Sequence, residues 1–287
     1  MGYQWGMQEK DPLATLAWLV EAGADEAIQE MPVNRLKEPV TRQPAVPQPV
    51  TPMHAPVFVG ERSELTKTER LFEPAQRARE AQPVAGDNIG SAMAAASAAA
   101  NLAELKAALE SFEGSALKRM ATHTVFADGV AESRIMLIGE APGRDEDRLG
   151  KPFVGRAGQL LDKMLASIGL DRTRNCYITN VMNWRPPDNR DPAPEEAAIC
   201  LPFLRRHIEL VNPLAILLLG AVAGRHVMGI SDGIMKTRGR WMEYRVGERM
   251  VPVLPTLHPA YLLRQPAHKK LAWRDLQAFA ARLENLA

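Results

Sequence analysis

At 287 residues, with 46% hydrophobic, 24% charged and 6% aromatic residues, the chain has enough apolar material for one large core or two small ones and the make-up of an ordinary globular protein. It holds no run of eighteen apolar residues, and Glu9, Lys10 and Asp11 stand where a secretion signal needs a basic region and an apolar stretch, so a membrane span is excluded and a cytoplasmic location is expected. The net charge of +1 hides an asymmetry: residues 1–100 carry 9 of the 35 Lys and Arg but 13 of the 34 Asp and Glu, which leaves the remainder mildly basic and admits nucleic acid as a partner.

Residues 12–29 have helical spacing of Leu13, Leu16, Ala17, Leu19 and Val20, and such a helix docks on the main domain or on a partner protein. Seven prolines in the 25 residues 32–56 rule out regular structure, and the chain stays polar and unpatterned to residue 90. The expected organisation is therefore a short helical segment (1–31), a largely disordered linker (32–90) and a folded domain (91–287).

The alanine-rich stretch 91–111 predicts a helix that opens the domain. Beyond it, apolar strand patterns at 133–139, 176–182, 215–220 and 250–257 alternate with helical patterns at 158–168, 194–211, 221–228 and 269–286. Alternation of this kind predicts an α/β domain of three layers, α/β/α, around a central four-stranded, mainly parallel sheet. Ligands of such sheets bind outside the carboxyl ends of the strands, which directs attention to the connections 139–158, 180–190, 220–224 and 256–266.

The first connection reads Gly-Glu-Ala-Pro-Gly-Arg-Asp-Glu-Asp-Arg-Leu-Gly-Lys-Pro-Phe-Val-Gly-Arg-Ala-Gly; its glycines admit close backbone approach to a ligand, and Glu140, Asp145, Glu146 and Asp147 can set a carboxylate beside it. The second begins with Asn180, whose amide pairs a donor with an acceptor and suits a pyrimidine edge, and runs into the basic, proline-stiffened loop of Arg185 and Pro186. Small residues make the third, read as close packing. The fourth, Thr-Leu-His-Pro-Ala-Tyr-Leu-Leu-Arg, brings His258 to a strand terminus.

Taken in order, Gly-Glu-Ala-Pro-Gly, Lys-Pro-Phe-Val-Gly-Arg-Ala-Gly, Asn…Arg-Pro-Pro…Asn-Arg and His-Pro-Ala-Tyr-Leu-Leu-Arg closely resemble the family-four uracil-DNA glycosylases over about residues 114–276. The resemblance implies a uracil-DNA glycosylase-like fold and an enzyme that hydrolyses the N-glycosidic bond of uracil in DNA during base-excision repair. It implies that Phe153 stacks on the extruded uracil, Asn180 reads its polar edge, and His258 faces O2 as negative charge develops there, with Gly139, Glu140, Ala141 and Glu146 lining the same pocket. The loop from His258 resembles the segment that enters the duplex: Tyr261, Leu262 or Leu263 would fill the vacated space, while Arg156, Arg185 with Pro186, Arg264 and Lys269 would contact DNA. Glu140, Asn180 and His258 are the implied catalytic residues. The related family-one enzymes have an aspartate where Ala141 stands, so the usual water-activating group is missing; Glu140 is the candidate in its place, with Glu146 or Asp147 second.

Two departures matter. Most family-four members hold an iron-sulfur cluster through four cysteines, whose positions match Phe112, Ser115, Trp184 and Cys200 here; with one thiol left, no cluster and no other cofactor is expected. A subgroup traps uracil-DNA through a histidine on a basic insertion, absent from 183–194, so turnover is expected instead. The partner is then uracil-containing DNA, bound by a monomer. A non-catalytic uracil or damaged-DNA binding module on the same fold is the alternative. A nucleotide-binding domain is disfavoured, because 139–143 lacks G-x-G-x-x-G spacing and no glycine loop ends in Lys-Ser/Thr. Among the other histidines, His207 reads as a solvated helix residue beside Arg205 and Arg206.

Overall fold

The computed structural model describes residues 85–286; the expected N-terminal helix and the linker as far as residue 84 lie outside them, while residues 85–90, expected to end the linker, are the first turns of a helix, so the folded domain begins earlier than the sequence pattern indicated. Among the described residues no helix is long and apolar enough to cross a membrane.

Two helices open the domain, α1 (Ala85–Ala98) and α2 (Leu102–Ser111), where the sequence predicted one. The break has a local cause. Asn101 caps α2 by accepting from the Glu104 N–H at 2.9 Å, and the Glu104 carboxylate reaches back to the Ala100 N–H at 2.7 Å. That reciprocal pair satisfies backbone donors that a continuous helix would leave elsewhere, so the polar residue outweighs the alanine run.

After α3 (Ala116–Met120) come β1 (Ala127–Gly129), β2 (Ile135–Gly139), α4 (Arg144–Leu149), α5 (Arg156–Ala166), β3 (Tyr177–Asn180) and α6 (Pro194–Val211). The chain continues through β4 (Ala215–Leu219), α7 (Ala221–Met228), α8 (Ile234–Thr237), β5 (Met242–Val246), β6 (Arg249–Thr256), α9 (Pro259–Arg264) and α10 (Lys269–Glu284). The sheet order is β1-β3-β2-β4-β6-β5; its four central strands are parallel, as expected, and the short edge strands β1 and β5 run antiparallel to them. β2 and β4 are buried along their whole length, which explains their unbroken apolar sequence. β5 alternates Glu243 and Arg245 outward with Tyr244 and Val246 inward, the pattern of a strand with one solvated face.

Two cores cover the sheet. One gathers Leu105, Leu109, Phe112, Trp184, Cys200 and Phe203 beneath α1, α2 and α6; the other packs Leu161, Leu165, Leu257, Leu276 and Phe279 beneath α5 and α10. The chain leaves β2 for β3 on one side and returns to β4 on the other, so the parallel strands diverge at the carboxyl end of β2 and open a crevice there. Register levels the strand ends around it: Gly139 pairs with Asn180, and Leu219 with Thr256. Thr256 is tied down further, its hydroxyl donating at 2.7 Å to Asp275 of α10, which also pairs with Arg238.

His207 departs from its expected place on a solvated face. It is buried, stacked on Phe126 at 4.3 Å, with Nε2 3.0 Å from the Tyr177 hydroxyl. Burial lowers its pKa to about 3, so the folded protein keeps it neutral where the unfolded chain, at about 6.5, takes up a proton. The unfolded state therefore binds more protons between those values, and stability falls as pH drops through them. The expected result is a urea midpoint that declines from pH 7 to pH 4, with a shallower decline in His207→Gln even though that variant is less stable at pH 7.

Candidate active site

Four strand ends and one loop build the site. Gly139 ends β2 and Asn180 ends β3 directly beside it. A Cβ on Gly139 would come within 3 Å of both the Asn180 Oδ1 and the Phe153 ring, lying 2.6 Å from Phe153 Cε2. Only a bare backbone lets these two side chains meet over the rim of the sheet. Phe153 in turn sits 5.6 Å from the His258 ring, tilted by 34°. The three residues singled out in the sequence are thus brought together at the carboxyl end of the sheet. Behind His258, a Cβ on Gly220, whose φ is +95°, would lie 3.0 Å from the histidine Cβ, so the small residues of the third connection serve close packing against the site.

Asn180 is 2% exposed, and its Oδ1 is a buried side-chain acceptor with no hydrogen-bond partner. Leaving such an acceptor unmade costs about 1–3 kcal/mol, so its presence marks a place shaped for an incoming donor. His258 supplies a donor. Its Nδ1 accepts the Ala260 N–H at 3.1 Å, capping α9, so the ring proton resides on Nε2. Burial, with the nearby charge of Arg264, lowers its pKa to about 4, and the ring is neutral at physiological pH. Glu140 is half-buried; burial and the neighbouring Asp191 raise its pKa above the usual 4.5, while Arg225 and Arg264 oppose that rise. Arg225 of α7 and Asp191 were not read from the sequence, because nothing in the spacing of the third connection or of the Arg-Pro-Pro loop announces that their charges act on Glu140.

Of the other acidic residues of the first connection, Asp145 is exposed and pairs with Arg148 at 3.5 Å, while Glu146 and Asp147 hold the protein together. Glu146 accepts from the Gly143, Val154 and Gly155 N–H groups at 3.1, 2.9 and 2.9 Å. Asp147 accepts from the Thr122 N–H and hydroxyl and from the His123 N–H at 2.8, 3.0 and 3.2 Å, and its carbonyl receives the His123 Nδ1–H at 2.7 Å. Both carboxylates are occupied by backbone donors, which removes them as alternatives to Glu140. Ala141 is half-buried beside Glu140.

The residues expected to meet DNA divide. Leu263, at 39% exposure, and Arg264 project from α9, and Arg156 is exposed at the start of α5. Leu262, in contrast, is fully buried in the core and Lys269 is 6% exposed, so neither offers a surface to a duplex. On a single turn of helix only one side of the pair Leu262-Leu263 can face outward, and the core takes the first. Tyr261 is half-buried with its hydroxyl 2.6 Å from His268 Nδ1. Arg185 is half-buried and donates to Asn189 Oδ1 at 2.8 Å, while Pro186 beneath it is buried.

The positions matching the family's cluster ligands do not fit an iron-sulfur cluster. Phe112, at 8% exposure, packs edge-on against Phe203 at 5.4 Å; Trp184 is fully buried and donates its indole N–H to Thr124 Oγ1 at 2.9 Å; Ser115 is 1% exposed. Cys200 is left as a lone thiol whose pKa burial pushes up to about 12, far from the thiolate that iron requires. Among the described residues no group of three His, Cys, Asp or Glu is placed to hold a metal ion.

Comparison with known proteins agrees with this geometry. Residues 126–277 match the model of the uracil DNA glycosylase superfamily, a span that takes in every site residue from Gly139 to Lys269. A Type-4 uracil-DNA glycosylase of Thermotoga maritima is 44% identical over 159 residues, 54% of this chain and 81% of its own length. That of Archaeoglobus fulgidus is 44% identical over 151 residues, 50% of this chain and 75% of its own, and a Type-5 enzyme of Pyrobaculum aerophilum is 35% identical over 116 residues, 36% and 51% respectively. On the matched span and the identity to these relatives, the chain belongs to the uracil DNA glycosylase superfamily.

Proposed function

We propose that the protein is a uracil-DNA glycosylase of DNA repair that takes uracil out of the duplex and hydrolyses its N-glycosidic bond, leaving an abasic site. The observation that carries the reading is the unpartnered Oδ1 of Asn180, which meets the Phe153 ring over the bare Cα of Gly139, with the neutral His258 ring 5.6 Å from that of Phe153. Uracil presents an N3–H donor and an O4 acceptor on one edge; the Asn180 amide accepts the first and donates to the second. Cytosine presents the reverse pair and would leave two buried mismatches, a penalty of the kind that rejects a base outright. Stacking of the extruded ring on Phe153 adds about 1–3 kcal/mol and helps offset the cost of unstacking.

Bond cleavage sends negative charge to the uracil O2 and leaves the sugar cation-like. His258 meets the first demand through its Nε2–H, a fixed neutral donor of a kind typically worth about 3–4 kcal/mol in the transition state. Glu140 meets the second: its raised pKa makes it a better base for water and an anion beside the developing cation. Leu263 is the side chain of α9 placed to fill the vacated stack, with Arg264, Arg156 and Arg185 taking phosphates. This reading takes the protein as a cytoplasmic monomer that works without an iron-sulfur cluster, its pocket rim held by Trp184 and Phe112.

On a uracil-containing oligonucleotide, Asn180→Ala and His258→Ala are expected to lose uracil release by at least about 100-fold; full activity in both refutes the site, and binding without product in the parent protein favours a non-catalytic module. Gly139→Ala should push aside both Phe153 and Asn180 and lose activity to a similar degree, while a small change in melting temperature shows the fold intact. The kcat/KM profile should fall toward acid pH through the Glu140 value, above 4.5, and Glu140→Gln should move the remaining limb down toward the His258 value of about 4. Purified protein should contain far less than one cluster's iron per chain.

A further inference from the structure

Phe153 holds its backbone at φ +54°, a left-handed conformation that a bulky residue keeps only where its surroundings impose it. Three contacts impose it. Glu146 takes the N–H groups of the two residues that follow, Val154 and Gly155. Gly158 on the first turn of α5 leaves room for the Phe153 carbonyl, which a Cβ there would overlap. Arg172, in the loop before β3, donates Nη2–H to the Phe153 carbonyl at 2.7 Å and Nη1–H to the Pro152 carbonyl at 3.0 Å.

The guanidinium is itself fixed from both sides. Its Nε donates to Asp162 of α5 at 2.8 Å and its Nη1 to Asp128 of β1 at 3.3 Å, and the side chain is 13% exposed. A planar fork with five donors can hold two successive carbonyls and two carboxylates at once; a lysine ammonium cannot. With its donors directed inward, Arg172 has none to offer a phosphate, which sets it apart from the arginines on the rim.

We propose that Arg172 is a positioning residue for base recognition: by clamping the carbonyls of Pro152 and Phe153 it fixes the left-handed turn that aims the Phe153 ring over Asn180. The proposal rests on the reading of Phe153 as the stacking platform for uracil. Arg172 touches neither base nor sugar, so its effect must pass through Phe153, and that is what separates it from a residue that merely holds the fold.

The test is a double-mutant cycle of Arg172→Lys with Phe153→Leu, reading kcat and KM under single turnover, inhibition by free uracil, and melting temperature. Arg172→Lys alone should lower kcat/KM by about 10- to 100-fold, the range expected for misplacing a recognition group, and weaken inhibition by uracil. In the Phe153→Leu background the same change should cost less than about threefold, while its effect on melting temperature stays the same. Equal losses in both backgrounds, or unchanged uracil inhibition, overturn the proposal and leave the active-site reading standing. Wild-type uracil release by Phe153→Leu alone would instead remove the stacking role itself. Should Arg172→Lys fail to fold, Asp128→Asn loosens the clamp from its outer end and must show the same coupling to Phe153, or the proposal fails.

Discussion

The backbone of Gly139 at the end of β2 is the constraint on which the site depends. Strand, loop and neighbouring strand meet at that one Cα: the Phe153 ring from the first connection and the Asn180 amide from β3 occupy the volume a side chain would need. A parallel sheet brings strand ends level, but levelness alone gives a rim lined with side chains. Removing one at the point where the chain turns both ways lets an aromatic ring and an unpaired amide oxygen meet over the same Cα. Each element around it is then fixed by a separate anchor: β6 by Thr256 on Asp275, α9 by the His258 cap, and the Phe153 loop by Glu146 and Arg172.

That division explains why a loop so rich in acid belongs to a site facing nucleic acid. Exposed carboxylates there would repel phosphates, yet Glu146 and Asp147 turn inward and accept from backbone N–H groups as rigid connectors, and the exposed Asp145 pairs with Arg148. Among the described residues the Glu140 carboxylate makes no such backbone contact; burial and Asp191 raise its pKa, and the charges of Arg225 and Arg264 oppose that rise. Burial raises its proton affinity and the arginines restrain that rise, which makes the group a stronger base than a free glutamate. His258 shows the opposite tuning: burial and Arg264 keep it uncharged, and the Ala260 N–H fixes which nitrogen carries the proton.

Much of this was legible in the residues. Long apolar runs gave the four parallel strands, and the motifs after them placed Phe153, Asn180 and His258 together. What escaped was set by tertiary geometry rather than local pattern. β1 is three residues long and β5 alternates charge, so neither carries the signal of a buried strand. Leu262 and Leu263 are chemically alike, and only the packing of α9 decides which one enters the core. His207 sits among arginines in sequence but lies on the inner face of α6, stacked on Phe126. Arg172 belongs to no motif of the site, since its role is defined by carbonyls from a loop twenty residues earlier in the chain.

The Asn183–Pro186 segment is held by apolar packing at the positions that match the family's cluster ligands. Asn183 exchanges hydrogen bonds with Val125, its carbonyl accepting at 2.8 Å and its Nδ2 donating at 3.1 Å, and Trp184 plunges behind it into the core that holds Phe112, Cys200 and Phe203. An aromatic side chain buries about 150–250 Å², or roughly 4–6 kcal/mol as an upper bound at about 25 cal/mol per Å². Phe112 and Trp184 together can therefore fasten the α2–α3 connection and the Arg-Pro-Pro loop to α6 without a metal-ligand bond. Such packing is indifferent to oxidants and chelators, whereas a thiolate-held cluster is sensitive to both. The loop that carries Arg185 is thus fastened by the same kind of burial that stabilises the rest of the domain.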